Sequence, residues 1–183
     1  MAPHSNGPAT QHGVSLVEAM CILAVLSLTL GSAMPSLGSL RQRAELSAAA
    51  AQLETDVHFA RGQAVALNHT VALTLRESNG ASCYIIHTGP AADCGCSGQG
   101  PSAASCNGGS EILRAVAFPT QGPVQVRSAS KSLTFDPVKG TVTPTATLRV
   151  EGRDGTAIHQ IVNLLGRVRS CSPQGRMTGE RAC

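Results

Sequence analysis

The chain has 183 residues, of which 42% are hydrophobic, and a formal net charge of +3 at pH 7. This length allows one domain with an appendage and an ordinary hydrophobic core. The core must be mainly aliphatic, because the sequence contains no Trp, one Tyr and three Phe. The net charge is too weak to indicate nucleic-acid binding by itself, so such a role needs a local cluster of basic residues.

The first predicted element is an apolar helix that runs to Leu40. Residues 19–40 contain no charge, and a helix of this length could cross the hydrocarbon layer of a membrane, which is about 30 Å thick. Glu18 lies at the start of the run, although an acidic residue at mid-bilayer costs roughly 2.5 to 3.5 kcal/mol on insertion scales. A signal peptide fits the sequence less well, because no Lys or Arg precedes Arg41.

This N-terminal segment resembles that of type IV pilins and pseudopilins. Their signature is a short leader ending in Gly, then an apolar residue, a Glu five positions after the Gly, and a long apolar helix. Gly13, Val14 and Glu18 match it, and Pro35 stands where pilin helices often carry a proline. The resemblance implies that a prepilin peptidase removes the leader, residues 1–13, and that the new amino terminus at Val14 is methylated.

Glu18 is then expected to serve filament assembly. After cleavage it would lie near the free amine of Val14, at a helix N-terminus where unpaired N–H groups and the helix dipole favour an anion. Pairing with this amine, in its own chain or in a neighbouring subunit, removes most of the cost of a carboxylate in apolar surroundings. The alternative is an idle acid that reaches the membrane interface.

The pilin resemblance also implies where the chain is located. Residues 14–40 are expected to form a single-pass anchor in the inner membrane and later the filament core. The C-terminal domain is expected in the periplasm and then on a pilus at the cell surface, in contact with other pilins.

The second half of the helix, residues 41–68, has an amphipathic pattern. Apolar residues recur at alternating steps of four and three and predict one buried stripe. The stripe consists of Leu46, Ala50, Leu53, Val57, Ala60, Ala64 and Leu67, and the charged residues off it are Arg41, Arg43, Glu45, Asp56 and Arg61. Packing on a sheet of the same chain is favoured over a coiled-coil partner, because the alanines suit close contact with a β-layer.

After Asn68 the sequence predicts an antiparallel β-domain over residues 69–173. Residues 70–75 and 82–87 flank Ser78-Asn79-Gly80 and predict a hairpin. Further strands are expected near 111–118, 123–128, 131–135, 145–151 and 157–165, and the Gly- and Ser-rich residues 89–110 predict a long loop. The predicted fold is therefore α+β and pilin-like: a long hydrophobic N-terminal helix, a sandwich-like antiparallel β-domain and a basic tail at 174–183.

Six of the seven cysteines are predicted to form disulfides. Cys21 lies in the apolar run, and the others are Cys83, Cys94, Cys96, Cys106, Cys171 and Cys183. An even number after an export-like segment favours disulfides in an oxidising compartment, and sequence alone leaves their pairing open. A zinc site that uses Cys94, Cys96, Cys106 and His87 is the alternative, but it lacks the C-x₂-C spacing of structural zinc sites. No metal or other cofactor is expected.

Within the pilin-like proteins, three stretches resemble the GspH/FimT branch. Residues 48–75 carry its Ala60-Arg61 pair, followed by Ala64, Val65 and Asn68 ahead of a strand. Residues 133–142 resemble a strand and turn in the middle of the domain of that branch, and residues 161–173 resemble its C-terminal strand. The resemblance thus covers most of residues 13–173.

Basic residues are concentrated at the C-terminus. Residues 166–183 contain Arg167, Arg169, Arg176 and Arg181 against one acid, Glu180. On an extended backbone Arg167 and Arg169 point to the same side, and Gly166 before them allows a turn. FimT-type minor pilins of naturally transformable bacteria have a similar GRxR motif, which is implicated in binding DNA during uptake. The resemblance implies a DNA-binding site at Gly166, Arg167 and Arg169, and we extend it to Arg176.

The predicted function is that of a minor type IV pilin that binds DNA for natural transformation. Because few aromatic residues are available for base stacking, we expect contacts mainly between Arg and the phosphates of double-stranded DNA, without sequence preference. The alternative is a structural GspH-like pseudopilin that primes pseudopilus assembly in type II secretion, with arginines that are solvated or bound to carboxylates. No nucleophile-elbow, zincin or P-loop pattern occurs, so the chain is not expected to be an enzyme.

Overall fold

The computed structural model describes residues 15–96, 100, 104–173, 175 and 177–183, and for residues 30–37 it describes the backbone only. The chain divides into two units, Met1–Leu40 and Arg41–Cys183. The predicted cleavage site, Gly13 and Val14, lies outside the described residues, as does Arg176.

Helix α1 (Leu16–Leu67) begins at a capped N-terminus, and the residue that follows it has a left-handed conformation. The Glu18 backbone N–H donates to Ser15 Oγ at 3.2 Å, which is the usual role of a serine N-cap. Asn68 follows the helix with φ of 51°, a conformation that Asn adopts more readily than most residues and that ends many helices.

In the first unit, the described side chains of α1 are exposed. Leu16, Val17 and Leu23 are 77%, 68% and 65% exposed. Within the described part of the chain, no helix has a stretch that is both long and apolar enough to cross a membrane.

In the second unit, α1 buries the predicted stripe at every position except the last. Leu46, Leu53 and Val57 are fully buried. The prediction is wrong at Leu67, which is 45% exposed because it is the final residue of the helix. It is also wrong at Asp56, which was placed off the stripe but has no exposed surface.

The described residues after α1 form strands β1 to β11. Their bounds are β1 (Val71–Ser78), β2 (Ala81–Thr88), β3 (Cys94–Cys96), β4 (Ala104–Cys106), β5 (Ile112–Phe118), β6 (Val124–Ser128), β7 (Ser132–Phe135), β8 (Val142–Thr143), β9 (Ala146–Gly152), β10 (Ala157–Val162) and β11 (Val168–Cys171). They form a five-stranded sheet in the order β5-β2-β1-β7-β8, a four-stranded sheet in the order β11-β10-β9-β6, and the pair β3-β4. All of these pairings are antiparallel, which confirms the predicted α+β architecture.

Local details of the β-domain both match and correct the sequence prediction. Asn79 and Gly80, with φ of 48° and 77°, form the turn of the predicted hairpin. The predicted loop at 89–110 contains β3 and β4, which pair with each other. The strand expected over 157–165 ends at Val162 because a turn begins at Asn163, and the two-residue β8 is too short to leave a sequence pattern.

Each of the two large sheets has a near face, which packs on α1, and a far face. Near-face residues of the five-stranded sheet, such as Leu73 and Tyr84, share one hydrophobic core with the helix stripe. Val150 and Ile158 bring the near face of the four-stranded sheet into the same core. The second unit therefore has its own core, built from one helix and two sheets.

The far face of the five-stranded sheet is buried. Its buried residues are Ala72, Thr74, Cys83, Ile85 and His87. The segment after β2 covers them: the Thr74 hydroxyl donates to the Ala91 carbonyl at 3.1 Å, and a disulfide joins Cys83 to Cys96.

The other two disulfides are Cys94–Cys106 and Cys171–Cys183. The three bridges use all six cysteines that were predicted to be oxidised, including those that the zinc alternative requires. Among the described residues, no group of three or more His, Cys, Asp or Glu side chains could hold a metal ion.

Candidate nucleic-acid interface

The turn between β10 and β11 is held together by Asn163. Its side-chain Oδ1 accepts hydrogen bonds from the backbone N–H groups of Leu165 and Arg167, at 3.0 and 2.9 Å. The Gly166 N–H donates to the Asn163 carbonyl at 2.9 Å. Gly166 has φ of 70°, a left-handed conformation that favours glycine. The first residue of the GRxR motif is therefore a structural element of the turn.

Arg61 of α1 lies between this turn and the loop at Gly140. Its Nε donates to the Gly140 carbonyl at 2.9 Å, and a Cβ added to Gly166 would lie 2.9 Å from Arg61 Cδ. A backbone hydrogen bond joins the turn to β8, in which the Val142 N–H donates to the Leu164 carbonyl at 2.8 Å. Arg61 and Gly166, which are far apart in the sequence, thus meet in the fold.

Arg167 and Arg169 follow the turn on the exposed edge of the four-stranded sheet. Val168 between them packs against the core, and Arg169 lies opposite Ile161 on the far face. Both arginines are exposed, and neither has an ion pair with an acid among the described residues. The two predicted phosphate contacts therefore lie next to each other and are accessible.

The disulfide Cys171–Cys183 brings the end of the chain to the same far face. Cys171 lies opposite His159 in the register of β10 and β11, and Cys183 Sγ is 3.9 Å from His159 Nδ1. Burial lowers the pKa of His159, and the nearby Arg149 lowers it further, against an opposing effect of Glu151. At neutral pH the imidazole is therefore uncharged, and the positive charge of this face comes from its arginines.

Glu18 lies in the first turn of α1, where its backbone N–H meets the Ser15 cap. Ser15 and Glu18 have the Ser-x-x-Glu spacing of a capping box, which is a sequence signal for the start of the helix that the prediction did not use. A carboxylate in a first helical turn is favoured by the helix dipole. The location therefore agrees with an anion-favouring site, and contact with the amine of Val14 stays a prediction.

The structure also contains a cluster around the buried carboxylate of Asp56 that was not predicted from the sequence. Asp56 accepts a hydrogen bond from the Tyr84 hydroxyl at 2.7 Å and pairs with Arg114. The guanidinium of Arg114 lies 4.7 Å from the centre of the Phe59 ring. Burial raises the pKa of Tyr84, and the hydrogen bond to Asp56 raises it further. This cluster connects α1 to the near face of the five-stranded sheet.

The sequence model of the family described as type II transport protein GspH matches residues 49–166. The chain belongs to this family. The match includes Arg61 and Gly166 and ends before Arg167, so the two exposed arginines lie just beyond the part that identifies the family.

The fold is similar to a solved pilin structure. The type IV minor pilin FimU of Pseudomonas aeruginosa aligns with a TM-score of 0.50 at 18% sequence identity, over 72% of this chain and 95% of FimU. This likeness confirms the pilin-like fold of the GspH family member. A comparison with curated proteins finds no match.

Proposed function

We propose that this GspH family member is a minor pilin that binds double-stranded DNA through Arg167 and Arg169. The observation that carries the proposal is the pair of exposed arginines at the start of an edge strand, without a described acidic partner. The turn that precedes them is closed by Asn163 and bonded to Val142 of β8, so their backbone is held in place before any ligand binds.

Phosphate contact is the binding mode that fits the available side chains. Proteins that bind single strands usually stack bases on exposed aromatic rings. None of the four aromatic residues is exposed: Tyr84 and Phe135 are fully buried, and Phe59 and Phe118 are partly buried against the core. Arginine contacts to phosphates give little sequence preference and a strong dependence on salt.

The test is binding of a labelled mixed-sequence duplex to the full chain over a range of salt concentrations. With two to four phosphates neutralised, the slope of log K against log salt should be about −2 to −4. The variant Arg167→Gln/Arg169→Gln should bind more weakly and with a flatter slope. The control Arg76→Gln/Lys131→Gln removes the same charge from the five-stranded sheet and should bind as the wild type does. Undiminished binding by the Arg167/Arg169 variant would overturn the proposal.

We propose in addition that Glu18 acts in assembly with other pilins, after cleavage behind Gly13 and exposure of the Val14 amine. The exposed apolar side chains of the first unit, including Leu16 and Val17, require a covering environment, which a filament core or the inner membrane would supply. Glu18→Ala should therefore reduce incorporation into filaments and leave DNA binding unchanged, whereas Glu18→Asp keeps the charge as a control. Normal filaments from Glu18→Ala would refute this role.

A structural pseudopilin of type II secretion is the second candidate, and the description of the family favours it. In that case the arginines are solvated surface residues. The salt-dependent titration separates the two functions, because the pseudopilin role predicts no specific loss of DNA binding when Arg167 and Arg169 are replaced.

A further inference from the structure

The far face of the four-stranded sheet carries two more arginines besides Arg169 of β11. Arg127 of β6 lies directly opposite Arg149 of β9, and Arg149 lies opposite His159 of β10. Arg169 of β11 is opposite Ile161, two positions from His159 and on the same face. Neighbouring strands are about 4.8 Å apart, so arginines occur across about 14 Å of this surface.

Among the described residues, an acidic group pairs with one of these three arginines. Glu151 pairs with Arg127 at an Oε2–Nε distance of 3.6 Å. Arg149 has no ion pair with a described acid, and it is exposed like Arg127 and Arg169. Like charges directly opposite each other in a sheet are destabilising. Burial is the main cause of the lowered pKa of His159, and Arg149 lowers it further.

The arrangement favours an extended anion. A bound polyanion would relieve the repulsion between Arg127 and Arg149, which the fold compensates only at Arg127, through Glu151. Double-stranded DNA carries one charge per about 1.7 Å of its axis, so about eight phosphate charges correspond to the 14 Å from β11 to β6. The cations lie on three of the four strands, including both outer ones, and a ligand that meets them all must be at least as long.

We propose that the far face of the four-stranded sheet is part of the DNA-binding surface, where Arg127 and Arg149 contact phosphates beyond those reached by Arg167 and Arg169. This inference rests on the proposed function and extends it from one edge strand to the whole sheet. The DNA then crosses the strands from β11 towards β6, and the covered five-stranded sheet takes no part.

The experiment compares two double variants of the full chain in the same duplex titration. Arg127→Gln/Arg149→Gln should lower the affinity about 5- to 10-fold at low salt and reduce the steepness of the salt dependence by about 2, since each phosphate contact contributes about 0.9. Arg149→Lys keeps the charge and should bind almost as the wild type does. Arg76→Gln/Lys131→Gln is the charge-matched control and should change the affinity less than about 2-fold.

The outcomes distinguish this inference from the proposed function. If Arg167→Gln/Arg169→Gln weakens binding and Arg127→Gln/Arg149→Gln behaves like the control, the sheet surface is refuted and the edge-strand site stands. If the wild type does not bind DNA, the proposed function and this inference are both refuted. If Arg127→Gln/Arg149→Gln does not fold, as judged by circular dichroism, the single variant Arg149→Gln provides the test, because it breaks no described ion pair. Its salt slope should be less steep by about 1, and a slope equal to that of the wild type would refute the inference.

Discussion

The two large sheets pack on the same helix but differ in what covers their far faces. In the five-stranded sheet, β1 and β2 are buried on both sides, and Thr74 and Cys83 are tied to the segment after β2. In the four-stranded sheet, burial alternates along β9 and β10, and Arg149 and Ile161 are exposed. A sheet that is covered on both faces supplies stability, whereas a sheet with one open face can present side chains to a partner.

The two sheets also differ in how polar groups connect them to α1. The five-stranded sheet uses the buried carboxylate of Asp56, which binds Tyr84 and Arg114. The four-stranded sheet uses a neutral contact, in which Gln160 Nε2 donates to the Ala50 carbonyl at 3.2 Å. Because a hydrogen bond to a charged group is stronger than one between neutral groups, the two sheets should respond differently to the loss of these contacts.

Asp56→Ala should have the largest effect on stability. It leaves the buried Tyr84 hydroxyl without its acceptor and removes the ion pair of the exposed Arg114, and we expect a loss of about 3 kcal/mol in the free energy of unfolding. Gln160→Ala, the matched change at the other sheet, should cost about 1 to 2 kcal/mol. Urea unfolding of both variants measures the difference. Equal losses would contradict the assignment of different roles to the two contacts.

The disulfides give the next comparison, because Cys83–Cys96 and Cys171–Cys183 lie in different sheets but close loops of nearly equal length. The sequence separations are 13 for Cys83–Cys96 and 12 for Cys171–Cys183, so the loop-entropy contribution is about 3 kcal/mol in each case. Replacing the first pair by Ala should cost about 1 kcal/mol more than replacing the second, because it also uncovers the far face of the five-stranded sheet. Guanidinium unfolding tests this, and a smaller loss for the first pair would argue against the covering role.

The smallest expected effect is a pH dependence that comes from His87 on the covered face. Its neutral ring donates from Nδ1 to the Thr88 carbonyl. Its Nε2 accepts from the Thr74 hydroxyl, whose single proton it shares with the Ala91 carbonyl. Burial lowers the pKa of His87, and Thr88 and Asp93 oppose this only in part. The unfolded chain, with a histidine pKa near 6.5, therefore binds the proton first as the pH falls. Stability should decrease below about pH 6.5 until the folded-state pKa is reached.

Urea unfolding between pH 7 and pH 5 measures this dependence. His87→Gln should flatten it, and His58→Gln, a change at an exposed helix position, serves as the control. An unchanged pH dependence in His87→Gln would show that the covered face does not determine it.

The sequence predicted the features that depend on local patterns. The spacing of Leu46, Leu53 and Val57 identified the buried stripe, and Asn79-Gly80 identified the hairpin turn. Disulfide formation followed from the number of cysteines and the apolar segment, but their pairing did not.

What the sequence did not predict depends on long-range pairing. Asp56 was placed with the surface charges, although it lies three residues after Leu53 and next to Val57, because its partners Tyr84 and Arg114 are distant in the chain. The alignment of Arg127 with Arg149 depends on the register of β6 and β9, which no local pattern encodes. The sequence therefore identified Arg167 and Arg169 as neighbouring cations but not Arg127 and Arg149.

Titration of the isotope-labelled protein with duplex DNA, followed through the arginine Nε–H signals in NMR spectra, tests residue by residue whether DNA binds on the far face of the four-stranded sheet. We expect the signals of Arg127, Arg149, Arg167 and Arg169 to shift together and those of Arg76 and Arg114 to stay unchanged. Shifts confined to the five-stranded sheet, or no shifts at all, would contradict binding on this face.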